Sequence, residues 1–150
     1  MRLAMKLWPC LCLFLAACFQ DSTPQHSTFL PLDYKSTFQT VRACRQVTAH
    51  NNNYQRVLAN AVAADAYTTA SYPLPAGSVV VAEQHQDSSC NSLIGFDLMA
   101  KEQPGYDTAN HDWHWQVLDD NERVSQDGHL QTCISCHAQT TCNDDLCSPP

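Results

Sequence analysis

Basic residues are scarce in this chain: 8 lysines and arginines stand against 15 aspartates and glutamates in 150 residues, a formal net charge of −7. Nucleic acid binding needs an electropositive face, so this balance excludes it. Also missing is any run of 18 or more apolar residues, so no segment of the mature chain spans a bilayer as a helix. There is no internal repeat, which removes solenoids and propellers. Only one C-x-x-C occurs, with neither a second nor a paired histidine at zinc-site spacing, so a closed zinc site lacks half its ligands. No strand–helix–strand pattern surrounds that dithiol, so a thioredoxin-like redox motif lacks its frame. Of 3 methionines, Met1 and Met5 sit at the very start, leaving Met99 alone.

What is present is Cys133-Ile134-Ser135-Cys136-His137, a C-x-x-C-H. Two thiols one helical turn apart can add to the two vinyl groups of a porphyrin, while the following imidazole turns toward the iron. The motif therefore predicts one covalently bound heme c, with Cys133 and Cys136 as attachment points and His137 as the proximal iron ligand.

The first residues agree with that chemistry. Arg2 and Lys6 precede an apolar stretch from Leu7 to Phe14, and Leu15-Ala16-Ala17-Cys18 follows. This is the form of a secretory signal, and its ending looks like a bacterial lipobox, with Cys18 lipidated as the first mature residue. An ordinary signal cleaved near Ala17 is the other reading. Either way the chain is expected outside the cytoplasm, as a lipoprotein anchored on the periplasmic side. The expected organisation is a signal peptide over 1–17, a flexible tether over 18–35 rich in Ser, Thr, Gln and Pro, and one heme domain over 36–150. Loss of Arg2 and Lys6 leaves 6 basic against 15 acidic residues, about −9.

Nine cysteines divide accordingly. Cys10 and Cys12 leave with the signal, Cys18 takes lipid and Cys133 and Cys136 take heme. Cys44, Cys90, Cys142 and Cys147 remain, an even set for two disulfides in an oxidising compartment. Three pairings are open. The short separation favours Cys142 with Cys147, which leaves Cys44 with Cys90.

Periodicity predicts a helix starting at Ser36, with Phe38, Val41, Cys44 and Arg45 on one face, and Asn51-Asn52-Asn53 ending it. A second helix is expected from Tyr54 through Val62. Strands are expected over 78–85, 93–101 and 113–118, followed by a short helix bearing the heme motif. Short connections make the sheet antiparallel and the class α+β: N-terminal helices, an antiparallel sheet packed on the heme, and a C-terminal heme-binding helix.

From Arg42 onward the chain resembles the cytochrome P460 family. The resemblance is carried by Val41-Arg42-Ala43-Cys44-Arg45, Gly77-Ser78-Val79-Val80-Val81-Ala82-Glu83, Met99-Ala100-Lys101, Gly105-Tyr106-Asp107, Asp112-Trp113-His114-Trp115 and the terminal heme motif. It implies an α+β domain with the sheet against one heme face, His137 as proximal ligand and an opposite face that can stay open to small nitrogen-containing ligands such as nitric oxide or hydroxylamine. In the hydroxylamine-oxidising members a lysine on the first long strand is bonded to the porphyrin edge. This chain has Ala82 there, so the resemblance implies an ordinary c heme, not the oxidase.

Candidates for the other iron face are Met99, a possible distal ligand that strand alternation assigns to the core, and His50, His85, His111, His114 and His129. The tryptophans of Trp113-His114-Trp115 are expected to pack near the heme, with His114 exposed and Lys101 solvated at its strand end. Two functions remain: a binder or oxidoreductase of small nitrogen oxides, and a periplasmic electron carrier with a six-coordinate heme. The expected partners are a small molecule at the heme, a periplasmic redox partner, the membrane through the lipid anchor only, and a second copy in a homodimer.

Overall fold

The sheet begins where a helix was expected. In the computed structural model, which describes residues 25–139 and 141–147, six strands run β1 Gln39–Val47, β2 Asn53–Ala59, β3 Val79–His85, β4 Leu93–Lys101, β5 Trp113–Leu118 and β6 Val124–Gly128. Each pairs antiparallel with the next, in the order β1-β2-β3-β4-β5-β6. Three short helices complete the fold: α1 Tyr34–Thr37, α2 Ala61–Thr68 and α3 Gln131–His137. The α+β class holds.

The expected helices over Ser36 to Arg45 and Tyr54 to Val62 are largely β1 and β2. In β1 the register shifts between Thr40 and Arg42 and again between Arg42 and Arg45, so neighbouring Val41 and Arg42 are both buried. Such bulges erase the two-residue alternation and leave apolar spacings of three and four. β2 lies between two packed faces, and Val57, Leu58 and Ala59 are all buried. A strand covered on both sides shows no alternation either. Asn51 and Asn52, read as a helix breaker, instead adopt left-handed backbone (φ 56 and 60) in the β1–β2 connection, which asparagine tolerates.

Residues 25–35 do not behave as part of a tether. Leu30 and Tyr34 are buried against the back of the sheet, and the Val124 N–H donates to the Gln25 carbonyl. Their polar neighbours hid these apolar anchors. The expected signal at 1–17, with Cys18, lies outside the described residues.

Cross-strand register sorts the two faces. On the back, Leu58, Val79, Val81, Phe96, Leu98 and Leu118 pack with Leu30 and Tyr34. On the front, Val57, Ala59, Val80, Met99, Trp113 and Trp115 pack with Ala63, Ala64 and Tyr67 of α2, Ile134 of α3 and Leu146. Each large side chain so buried stabilises by about 1.5–3 kcal/mol. Asn60 caps α2 by accepting from the Ala63 N–H, and its amide donates to the Gly77 carbonyl, tying the helix to the start of β3. Disulfides join Cys44 to Cys90 and Cys142 to Cys147, the favoured pairing.

Candidate functional site

The residues of the heme motif fall on one helix. α3 carries Cys133 and Cys136 one turn apart, with Ile134 pointing into the front core and His137 in its last turn. Both thiols are free of disulfides. Burial pushes the Cys133 thiol up from its ordinary value, which keeps it protonated. A redox dithiol or zinc half-site wants the opposite, a stabilised thiolate. Among the described residues no cluster of three His, Cys, Asp or Glu could hold a metal ion.

His137 is fixed by the segment after it. Its Nδ1–H donates to the Asp145 carbonyl at 2.6 Å, which leaves Nε2 with the free lone pair. Burial pushes the imidazole down from its ordinary value, against the pull of the Asp145 carbonyl, and favours the neutral, ligating form. Its ring lies 4.8 Å from that of Trp115. The segment itself is pinned three ways. The Cys142–Cys147 disulfide clips it, Asp144 pairs with Lys101 and accepts from the Leu74 N–H, and the Trp113 indole donates to the Asp144 carbonyl. Lys101 is therefore not solvated: its side chain is 9% exposed, and its Nζ stands 4.6 Å over the Trp113 ring.

Cys133, Cys136, His137 and Trp115 border a cavity of about 510 Å³ between the front of the sheet, α3 and the C-terminal segment. That size suits a cofactor of tens of atoms. Cys133, Cys136 and His137 stand on one side. Val57, Val80, Ala82, Met99 and Trp115 make the apolar floor, with Ala82 paired to Val57 and Asp97 on adjacent strands. A smaller cleft of about 380 Å³ between the N-terminal segment and β6 has no cysteine in its lining.

The wall also holds a buried cation. Arg42 is 5% exposed; it donates to Gln55 Oε1 at 2.9 Å, while its own Nε and Gln55 Nε2 have no partner. No carboxylate forms a salt bridge with Arg42 among the described residues. A guanidinium left unpaired in an apolar cavity of an acidic chain suits an anionic group on whatever fills that cavity.

The cytochrome P460 family model matches residues 31–147. The chain belongs to the cytochrome P460 family. Membership implies a c-type heme cofactor, and the cavity's donor set fits it: paired thiols, an imidazole with a free Nε2, an apolar floor and an unpaired guanidinium. No curated protein matches the sequence.

The other expected residues divide. Met99 lies in the cavity floor beside Val80 and Trp115, within the hydrophobic cluster. His50 lines the cavity. His85 is buried on Glu83. His111 pairs with Asp145, and His129 with Asp107. His114, expected to be exposed, is mostly covered, paired with Asp127 at 2.7 Å and stacked on Tyr106. Both tryptophans face the front, as expected, but only Trp115 reaches the cavity. Sequence reasoning missed Arg42 and Gln55 as cavity residues; a buried-strand arginine has no local signature, and only the β1–β2 pairing aims it inward.

Proposed function

We propose that this chain is an exported single-heme cytochrome c of the P460 type that binds, and in redox exchange processes, small nitrogen-containing ligands, nitric oxide foremost. The observation that carries this reading is the convergence of Cys133, Cys136 and His137 on one apolar cavity whose unpaired cation is Arg42. Cys133 and Cys136 would hold the porphyrin as thioethers, and His137 would ligate its iron. An iron porphyrin, when bound, supplies an exchangeable coordination position and a one-electron couple. The protein supplies the rest. The Asp145 carbonyl fixes the His137 tautomer and raises its basicity. Arg42 offers a charge-assisted donor to a propionate. Val57, Val80 and Trp115 exclude water.

Ala82 argues for binding over hydroxylamine oxidation. It lines the cavity at the position where oxidising relatives carry a cross-linking lysine, and it has no nucleophilic nitrogen. Lys101 offers no substitute, because Asp144 holds it. The two disulfides support an oxidising, extracytoplasmic location. A second reading, a periplasmic electron carrier with a six-coordinate heme, is favoured by one observation: His50 lines the same cavity.

Expression in cells competent in c-type maturation tests the proposal. The wild-type band should retain heme stain on a denaturing gel, and Cys133→Ala with Cys136→Ala should lose it. The ferrous protein should change its absorption spectrum on nitric oxide addition and oxidise hydroxylamine negligibly. A folded wild type without covalent heme sinks the reading.

A further inference from the structure

His50 ends the 3-10 turn Thr48–His50 that follows β1, and it lines the same cavity as His137. Its Nδ1 is 2.9 Å from Asp97 Oδ2. A carboxylate oxygen only accepts, so Nδ1 carries the proton and Nε2 keeps the lone pair; the Gln84 amide nitrogen, 3.3 Å from Nδ1, makes its shorter contact with Asp97. Gln84 Nε2 donates to the same Asp97 oxygen, which fixes the carboxylate on its strand. The cavity therefore holds two histidines of like preparation. Each has Nδ1 committed to an outer acceptor, Asp145 O for His137 and Asp97 Oδ2 for His50, and each has Nε2 to give.

Their spacing narrows what they can do together. The ring centres are 6.3 Å apart, with planes at 82°. Two imidazoles bound to one metal ion at about 2 Å each place their ring centres about 6 Å apart. A histidine that only donated to an iron-bound ligand would have to stand farther off by about the length of a hydrogen bond, ~3 Å. Met99 offers no such match: it lies in the floor among Val80 and Trp115.

We propose that His50 is the second axial ligand of the heme iron, opposite His137, with Asp97 and Gln84 as its positioning residues. This rests on the reading that heme is held at Cys133, Cys136 and His137, and deepens it. In the resting protein the iron is six-coordinate, and an incoming ligand has to displace His50. The hairpin connection that carries His50 is then the gate of the site.

The test uses the purified holoprotein with carbon monoxide as probe. Wild-type ferrous protein should show a low-spin, six-coordinate spectrum. His50→Ala should become high-spin and five-coordinate, and added imidazole should restore the low-spin form. If His50 leaves the iron open less than about a tenth of the time, its removal raises carbon monoxide affinity more than about tenfold. His50→Gln, which keeps a polar side chain beside Asp97, should give the same spin change should the alanine variant fold poorly. Asp97→Asn should stay low-spin but bind carbon monoxide more tightly than wild type, because the iron–His50 bond weakens. A high-spin wild type, or a low-spin spectrum indifferent to both His50 variants and lost in Met99→Ala, overturns the assignment while leaving the heme reading intact. Absence of covalent heme from the wild type overturns both.

Discussion

Lys101 and Asp144 form an ion pair that water hardly reaches, with side chains 9% and 2% exposed. Removing one member of such a pair leaves the other charged and buried, which costs about 3–5 kcal/mol. Lys101→Ala should therefore lower stability in urea unfolding by about 3 kcal/mol. It should also perturb the heme spectrum, because Asp144 adjoins the carbonyl that orients His137. Glu83, 1% exposed on the back of the sheet, behaves differently. Burial pushes its carboxyl up, but hydrogen bonds from Tyr34 (2.8 Å) and Arg56 (2.8 Å), with the Arg56 charge, outweigh this and hold it below its ordinary 4.5. A carboxylate depressed in the folded state adds stability above its unfolded value, and that stability drains away as pH falls through the folded value. Thermal unfolding followed from pH 7 downward should show midpoints dropping below about pH 4.5, more steeply in wild type than in Glu83→Gln.

At the scale of elements, the two disulfides should separate stability from function. Cys44–Cys90 spans 46 residues and Cys142–Cys147 only 5. Loop-closure entropy assigns them about 4 and about 2 kcal/mol respectively. Serine replacement of the first pair should cost more in chemical denaturation, and replacement of the second should disturb the heme spectrum more, since it frees the Asp145 carbonyl from its clip. A reversed order in the spectra would argue that Asp145 is held without the disulfide. The same contrast marks what was legible in the sequence. β3, β4, β5 and the motif helix were readable because each carries a local signal: β-branched runs, turn residues at their ends, or a C-x-x-C-H. β1 and β2 were not, because bulges at Arg42 and two-sided burial of Leu58 and Ala59 remove the alternation that announces a strand. The α3 side of the cavity was legible as five consecutive residues. The rest of the cavity wall joins Arg42, His50, Gln55 and Asp97 from three strands and one turn, so only the pairing of those elements reveals it.

At the scale of the whole molecule, the described domain closes both faces of its sheet with its own segments. Residues 25–35 cover the back, and α2, α3 and the C-terminal segment cover the front. Among the described residues no helix is long and apolar enough to cross a membrane. We propose that membrane attachment comes from the segment before this domain. Leu15-Ala16-Ala17-Cys18 is the candidate, and a lipid on Cys18 would leave the domain about as free as a soluble protein on a short leash. Cys18→Ser should then move the protein from the membrane pellet to the soluble periplasmic fraction. Heme content per protein and the unfolding midpoint should stay unchanged, because the described cavity lining starts at Arg42 and the described cores at Phe29. A wild type found soluble with an unmodified mature N-terminus would instead establish ordinary cleavage near Ala17. Co-loss of heme in Cys18→Ser would mean that the anchor is needed for delivery to the heme-attachment machinery, a step in maturation and not in folding.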